Sequence, residues 1–307
     1  MAHIQWYPGH MAKAKKEVQN QLNAVDIVLE IRDARIPMAS KNPMLDEIIK
    51  NKRHMIVLNK KDLADPFQTK GWVEALSNDN TQAIAIDSKK LSDMKLFRQA
   101  LKDFTQDIQD KWQKKGLLHK SIRIMVIGIP NVGKSTFINQ FTKQKKAQVG
   151  NKPGVTKGQQ WIKIDKDFEL LDTPGILWPK FDDQEVGDKL ALTGGIKDTH
   201  YFKDDVALFG LELMLHYYPD AIAKNYPIAK EAVTPPYPEL LMTLTKNMGL
   251  LDDYDRAADR IIRDFREGKL GRMTLDRIEE LSLYVSDTQT SKLNKDHQKD
   301  SDSTERA

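Results

Sequence analysis

The stretch IRIMVIGIPNVGKSTFINQF, residues 122–141, holds Gly128, Gly133, Lys134 and Ser135 in the pattern G-x-x-x-x-G-K-[ST]. An apolar run, IRIMVI, precedes it and a segment of helical character, TFINQF, follows, which is the context a phosphate-binding loop requires. The glycines let backbone N–H groups turn inward around phosphates, and the helix behind adds its positive N-terminal end. Asn131, Val132, Gly133, Lys134, Ser135 and Thr136 are therefore candidate nucleotide-binding residues. Lys134 is expected to reach the β- and γ-phosphates, which makes it a catalytic candidate as well, and the Ser135 hydroxyl to bind Mg²⁺.

Downstream, FELLD (168–172) runs into DTPG, so Asp172 stands at a strand end where its carboxylate can hold the magnesium shell. The Gly175 N–H can approach the γ-phosphate there, although four such residues also make an ordinary β-turn. Between the two motifs lies NKPGVTKG (151–158), whose Thr156 sits in a Gly-flanked loop able to swing over Mg²⁺ and the γ-phosphate.

Upstream, HMIVLN (54–59) opens into NKKD (59–62). Asn59, Lys60 and Asp62 then stand at the carboxyl end of a strand, where doubly wound sheets bind ligands. Asp62 can accept hydrogen bonds from guanine N1–H and the 2-amino group, which adenine does not present, while the Lys60 stem covers the base. Ser88 and Lys89, after QAIAI (82–86), occupy the place of a further base-contacting loop, on a short match. The order along the chain is base, base, phosphate, magnesium loop, magnesium carboxylate. Cutting and rejoining a chain at surface positions preserves its core, so the order implies a circular permutation.

Apolar runs suited to buried parallel strands (25–31, 54–59, 82–86, 122–128, 160–164, 168–172) alternate with helical segments, the pattern of an α/β sheet covered on both faces. After about Trp178 strand signals stop. Residues 205–218 and 251–265 carry apolar residues at helical spacing, for example Tyr254, Ala258, Ile261 and Phe265. The expected organisation is a doubly wound, circularly permuted nucleotide domain over 1–180, a linker over 181–204, a smaller all-helical domain over 205–285 and a polar disordered tail over 286–307.

The 307 residues contain no cysteine, which excludes disulfides and thiolate metal sites and suits a cytoplasmic protein. No run approaches the ~18 apolar residues of a membrane span. The net charge of +4 hides an asymmetry: Lys111 to Ile164 holds twelve Lys and Arg and no acid, which suggests a polyanion such as RNA, or serves only nucleotide phosphates and acidic neighbours.

At these residues the sequence resembles the circularly permuted GTPases of ribosome assembly, on QWYPGHMAKA (5–14), DARIP (33–37), NKKD, GIPNVGKST (128–136), KPGVT (152–156), DTPG and a helical C-terminal part. The resemblance implies GTP and GDP as ligands with Mg²⁺, and GTP hydrolysis in late maturation of the large (50S) ribosomal subunit. It also implies contact with that subunit's rRNA, and we expect a monomer with no membrane partner. Arg266, Lys269 and Arg272 are candidate RNA contacts, or solvated ion pairs. Where Ras-type proteins hold a water-orienting Gln this chain has Ile176, which cannot hydrogen-bond to water. The resemblance offers His10 as the catalytic replacement, against an RNA-contacting or structural role for it. It also offers Asn131 as a K⁺ ligand bridging the phosphates. The alternative is a nucleotide-responsive RNA-binding scaffold with negligible turnover. Because the magnesium loop leads straight into the helical part, nucleotide state can move that part.

Overall fold

The computed structural model describes residues 21–43, 52–117, 120–143, 161–172 and 183–282, together with Gln19 and Ile49. Its sheet contains β1 (Ile27–Asp33), β2 (Arg53–Asn59), β3 (Thr81–Ala85), β4 (Ile122–Ile127), β5 (Trp161–Lys163) and β6 (Phe168–Asp172), in the order β3-β2-β1-β4-β6-β5. Five strands are parallel. β1 is buried along its whole length because it lies between β2, with Ile27 opposite Arg53, and β4, with Ile27 opposite Ile124. From β1 the chain winds to one side and from β4 to the other, so the loop after β4 opens at the point where the winding reverses.

One strand departs from the expected parallel run. β5 pairs antiparallel with β6, Ile162 opposite Leu170, because residues 164–168 form a tight turn. In that turn Ile164 N–H donates to Phe168 O at 3.0 Å and the Asp165 carboxylate accepts from Asp167 N–H at 2.8 Å. Two strands joined so closely pair as a hairpin, since a parallel pair needs a long crossover.

Helices α1 (Pro66–Ala75), α2 (Leu91–Lys114) and α3 (Lys134–Thr142) flank the sheet. α1 starts where the Asp65 carboxylate accepts from the N–H groups of Phe67 and Gln68, with Pro66 in the first turn. α2 buries Met94, Phe97, Leu101 and Thr105, spaced by three and four, on one stripe. Phe97 meets Phe137 and Phe141 of α3 edge-on, with ring centroids 4.9 and 5.2 Å apart, and Phe141 meets Phe168 of β6. Full burial of such a side chain contributes about 1.5–3 kcal/mol, so these rings fix α3 on the sheet and aim its N-terminus at the strand ends.

The region after residue 183 is helical: α4 (Gln184–Thr193), α5 (Lys203–Tyr217), α6 (Ala221–Asn225), α7 (Tyr237–Asn247) and α8 (Tyr254–Arg266). The stretch expected as a linker, 181–204, instead carries α4. The Asp183 carboxylate caps it at Glu185 N–H, Leu190, Ala191 and Leu192 are fully buried, and Gly194 at φ +86° closes it. Its apolar signal is one short run among Asp, Lys and Gly, too brief to declare a helix in sequence. Of the four positions expected to face inward on α8, Ala258, Ile261 and Phe265 are buried and Tyr254 is only half-buried. A single contiguous apolar core joins Ile27, Leu29 and Ile31 of β1 to the buried faces of α4, α5, α7 and α8.

A non-helical strap after α8 closes the molecule. Met273 N–H donates to Leu63 O at 3.0 Å and Leu275 N–H to Arg35 O at 2.7 Å. The fully buried Asp276 accepts from Met38 N–H (2.7 Å) and Ala39 N–H (2.9 Å), pairs with Lys189 of α4 (3.0 Å), and its carbonyl takes the Trp72 indole N–H at 2.8 Å. The strap therefore ties α4 to the loop after β1.

Candidate functional site

Because β1, β2, β3, β4 and β6 are parallel, Asp33, Asn59, Ser88, the 128–133 loop and Asp172 all emerge at one edge of the sheet. Gly133 caps α3 in the left-handed region at φ +93°, and a Cβ there would fall 2.3 Å from Asn59 Nδ2. A Cβ on Gly128 would fall 2.6 Å from Ile31 O. The first intrahelical bond of α3 runs from Phe137 N–H to Gly133 O, so the N–H groups of residues 133–136 have no intrahelical acceptor. No side chain caps this N-terminus and no acid lies in its first turn. Lys134, Ser135 and Thr136, all half-buried, stand around it. A glycine cradle leading into an uncapped helix start suits phosphate oxygens.

The segment 59–62 is sewn to this loop. Asn59 Nδ2 donates to Val132 O (2.8 Å) while its Oδ1 accepts from Ser88 N–H (3.1 Å). Lys60, at φ +61°, donates from Nζ to Asn131 O (2.7 Å) and to Asp33 Oδ2 (2.9 Å). Lys61 reaches Asp93 at the start of α2 (2.8 Å), and Asp93 accepts from Asp87 N–H. Asp62 follows half-buried in the turn after β2, and Lys89 is exposed beside Ser88 with its N–H on the Asp87 carboxylate. The structure thus brings Asn59, Lys60, Asp62, Ser88, Lys89, Asn131, Val132, Gly133, Lys134, Ser135 and Thr136 to one edge, although motifs 59–62 and 128–135 lie far apart in the chain.

Asp172 ends β6 opposite Val126 of β4, two residues before Gly128. Its backbone thereby stands beside the strand that leads into the 128–133 loop, and Ser135 supplies a hydroxyl in the first turn of α3. A hydroxyl oxygen at this helix start fits Mg²⁺, which binds through few protein oxygens together with substrate phosphates. His10, Thr156, Gly175 and Ile176 lie outside the described residues.

Two residues quoted in DARIP without an assigned role turn out to organise the edge. Asp33 is buried and accepts from Arg35 Nε (2.9 Å), Arg35 Nη2 (2.7 Å) and Lys60 Nζ (2.9 Å). Burial pulls its pKa upward, but the Arg35 and Lys60 charges more than reverse that and hold the carboxyl well below the usual range. For Lys60, burial dominates over Asp33 and the ammonium titrates below its ordinary value. Only the position of DAR at a strand end hints at this in sequence.

The basic trio near the end of α8 is differently employed. Arg266 donates to Ala191 O, Leu192 O and Asp198, Arg272 to Lys61 O and Ala64 O, and Lys269 pairs with Asp264 and Glu267. Arg266 thus braces the end of α4, while Arg272, itself exposed, holds two carbonyls of the loop after β2.

Comparison with known proteins agrees with this geometry. A family model described as 50S ribosome-binding GTPase matches residues 123–223. Ribosome biogenesis GTPase A of Bacillus cereus is 44% identical over 291 residues, covering 93% of this chain and 98% of that protein. Mitochondrial ribosome-associated GTPase 1 of Mus musculus is 34% identical, covering 89% of this chain and 90% of the relative. The crystal structure of GNP-bound YlqF from T. maritima superposes with a TM-score of 0.63 at 25% identity, over 87% of this chain and 99% of that one.

Proposed function

We propose, on the premise that the chain belongs to the ribosome biogenesis GTPase A family, that it is a GTP-hydrolysing switch acting in late maturation of the large ribosomal subunit. The observation that carries the reading is the interlock of Asn59 and Lys60 with Val132 and Asn131, which makes base recognition and phosphate binding one unit. In this reading Asp62 reads guanine, Ser88 and Lys89 border the base, and the 131–136 loop with Lys134 holds the phosphates of GTP or GDP. Ser135, Asp172 and Thr156 hold Mg²⁺, and Gly175 meets the γ-phosphate. Mg²⁺, when bound, neutralises charge on the phosphate oxygens.

Hydrolysis needs a water-orienting group that Ile176 cannot supply. His10 takes that role in our reading, because a neutral imidazole can accept a water hydrogen bond while its other nitrogen is held. Asn131 contributes a K⁺ ligand through its side-chain oxygen, its Nδ2 being engaged on Gly194 O at 2.8 Å. The partner is the large subunit with its rRNA, which stimulates turnover; the protein works as a cytoplasmic monomer. The acid-free block 111–164 supplies charge for RNA.

Co-sedimentation with large ribosomal particles, together with multiple-turnover phosphate release, tests the proposal. GTP-dependent association and subunit-stimulated release, faster in K⁺ than Na⁺ and reduced in His10→Ala, are expected. Association without turnover would favour the second reading, a nucleotide-responsive RNA-binding scaffold, for which Ile176 is the motivating residue.

A further inference from the structure

The last carbonyls of a helix have no intrahelical donor. At the end of α4, four consecutive carbonyls are each taken by a side chain from elsewhere in the fold. Arg266 of α8 donates to Ala191 O (2.7 Å) and Leu192 O (3.1 Å), Arg35 to Thr193 O (3.2 Å), and Asn131 Nδ2 to Gly194 O (2.8 Å). Two of these three donors belong to the nucleotide edge.

Asn131 sits in the phosphate loop at φ +62°, and its own carbonyl is the acceptor of Lys60. Arg35 shares its Nη2 between Thr193 O and the Asp33 carboxylate that also holds Lys60, and its guanidinium stacks over Phe265 of α8 at 5.4 Å. The Arg35 side chain is 2% exposed, so water offers it no alternative acceptor. Whatever fixes Lys60 and the phosphate loop therefore fixes the two donors that grip Thr193 and Gly194. Neither link passes through the magnesium loop or a γ-phosphate.

We propose that Arg35 and Asn131 are positioning residues that couple occupancy of the nucleotide edge to the grip on the C-terminal end of α4, and so to the helical region, by a route independent of the γ-phosphate. The proposal rests on the reading of this edge as a guanine-nucleotide site. GDP alone, without any change at a γ-phosphate, must then tighten the end of α4. By linkage, loosening that end must weaken GDP in return.

The amides of Gly194, Gly195 and Ile196 report on this turn, because they donate to Ala191 O and Leu190 O. Hydrogen exchange of the full chain, followed on peptides covering 190–196 with and without saturating GDP, tests the coupling. In the parent protein GDP should slow exchange there by roughly tenfold or more. In Asn131→Ala and in Arg35→Lys, at GDP concentrations that saturate each variant, this GDP-dependent protection should fall at least threefold. A purely structural role would instead lower protection equally with and without GDP, and that result overturns the proposal. Arg266→Met touches neither nucleotide loop, and by reciprocity it should weaken GDP binding about fivefold; an unchanged affinity also overturns it. Failure of the parent protein to bind GDP would defeat the nucleotide-site reading itself, whereas binding without protection at 190–196 defeats only the coupling.

Discussion

Replacing Asp33 with Asn removes one negative charge that two cations share. Asn keeps one acceptor oxygen, but its amide nitrogen must then face either Arg35 Nη2 and Lys60 Nζ at the Oδ2 position or Arg35 Nε and the Arg35 backbone N–H at the Oδ1 position, donor against donor. The two cations respond differently. Lys60 is 23% exposed and can swing its ammonium to water, whereas Arg35 is 2% exposed and cannot. The cost is thus mainly that of a buried guanidinium losing its counter-charge, which is about 3–5 kcal/mol. For a chain of this size that corresponds to a melting-temperature loss of roughly 5–8 °C. The assay is urea denaturation at pH 7 followed by circular dichroism, with Arg35→Met and the double variant completing a cycle. Because the double variant removes the stranded cation, it should be less destabilised than the sum of the two single variants by about 1–3 kcal/mol. A single Asp33→Asn variant within about 1 kcal/mol of the parent, or a cycle with no coupling, would refute the assignment of Asp33 as the shared counter-ion.

Stability should also respond to acid. Asp33 and Glu30 both titrate below their usual range in the folded chain, Glu30 because Arg32 and His54 outweigh the effect of burial. The unfolded chain takes up these protons first, so their contribution is complete above about pH 4.5 and is lost as pH falls further. The unfolding free energy from urea titration should change little between pH 6 and 7 on their account and decline by about 1–3 kcal/mol towards pH 3, a decline that Asp33→Asn reduces. Gly133→Ala places a Cβ 2.3 Å from Asn59 Nδ2 at φ +93°, which costs about 1–3 kcal/mol in backbone strain besides breaking the Asn59–Val132 contact. A variant as stable as the parent would show that the loop is not held this way. Asp62→Asn should weaken GTP by about 2–3 kcal/mol and favour xanthosine nucleotides, whose exocyclic oxygen suits the new amide donor. Equal ATP and GTP affinity of the parent protein in a competition titration would refute the base-reading role.

All six strands were legible in the sequence to within two residues at either end, because each is an apolar run ended by turn residues. So were the phosphate loop, NKKD and the permuted order, because strand ends in a parallel sheet must share an edge whatever the order of the motifs. The antiparallel pairing of β5 was not, since the residues of a run show that it is a strand but not how it pairs. Nor was α4, whose burial depends on neighbours more than on its own periodicity.

The sequence by itself determined the local pattern: where a glycine loop runs into a helix start, which residues close the strands, and where apolar faces lie, because these follow from residue type at short spacing. Only the tertiary structure decided the use of the charges. Arg266 reads as a surface cation until its backbone acceptors on α4 are known. Asp33, Arg35 and Asp276 look like ordinary polar residues until burial removes water as an alternative partner. The reason is physical: a charge's role is set by what desolvates it and what compensates it, and both come from segments remote in the chain.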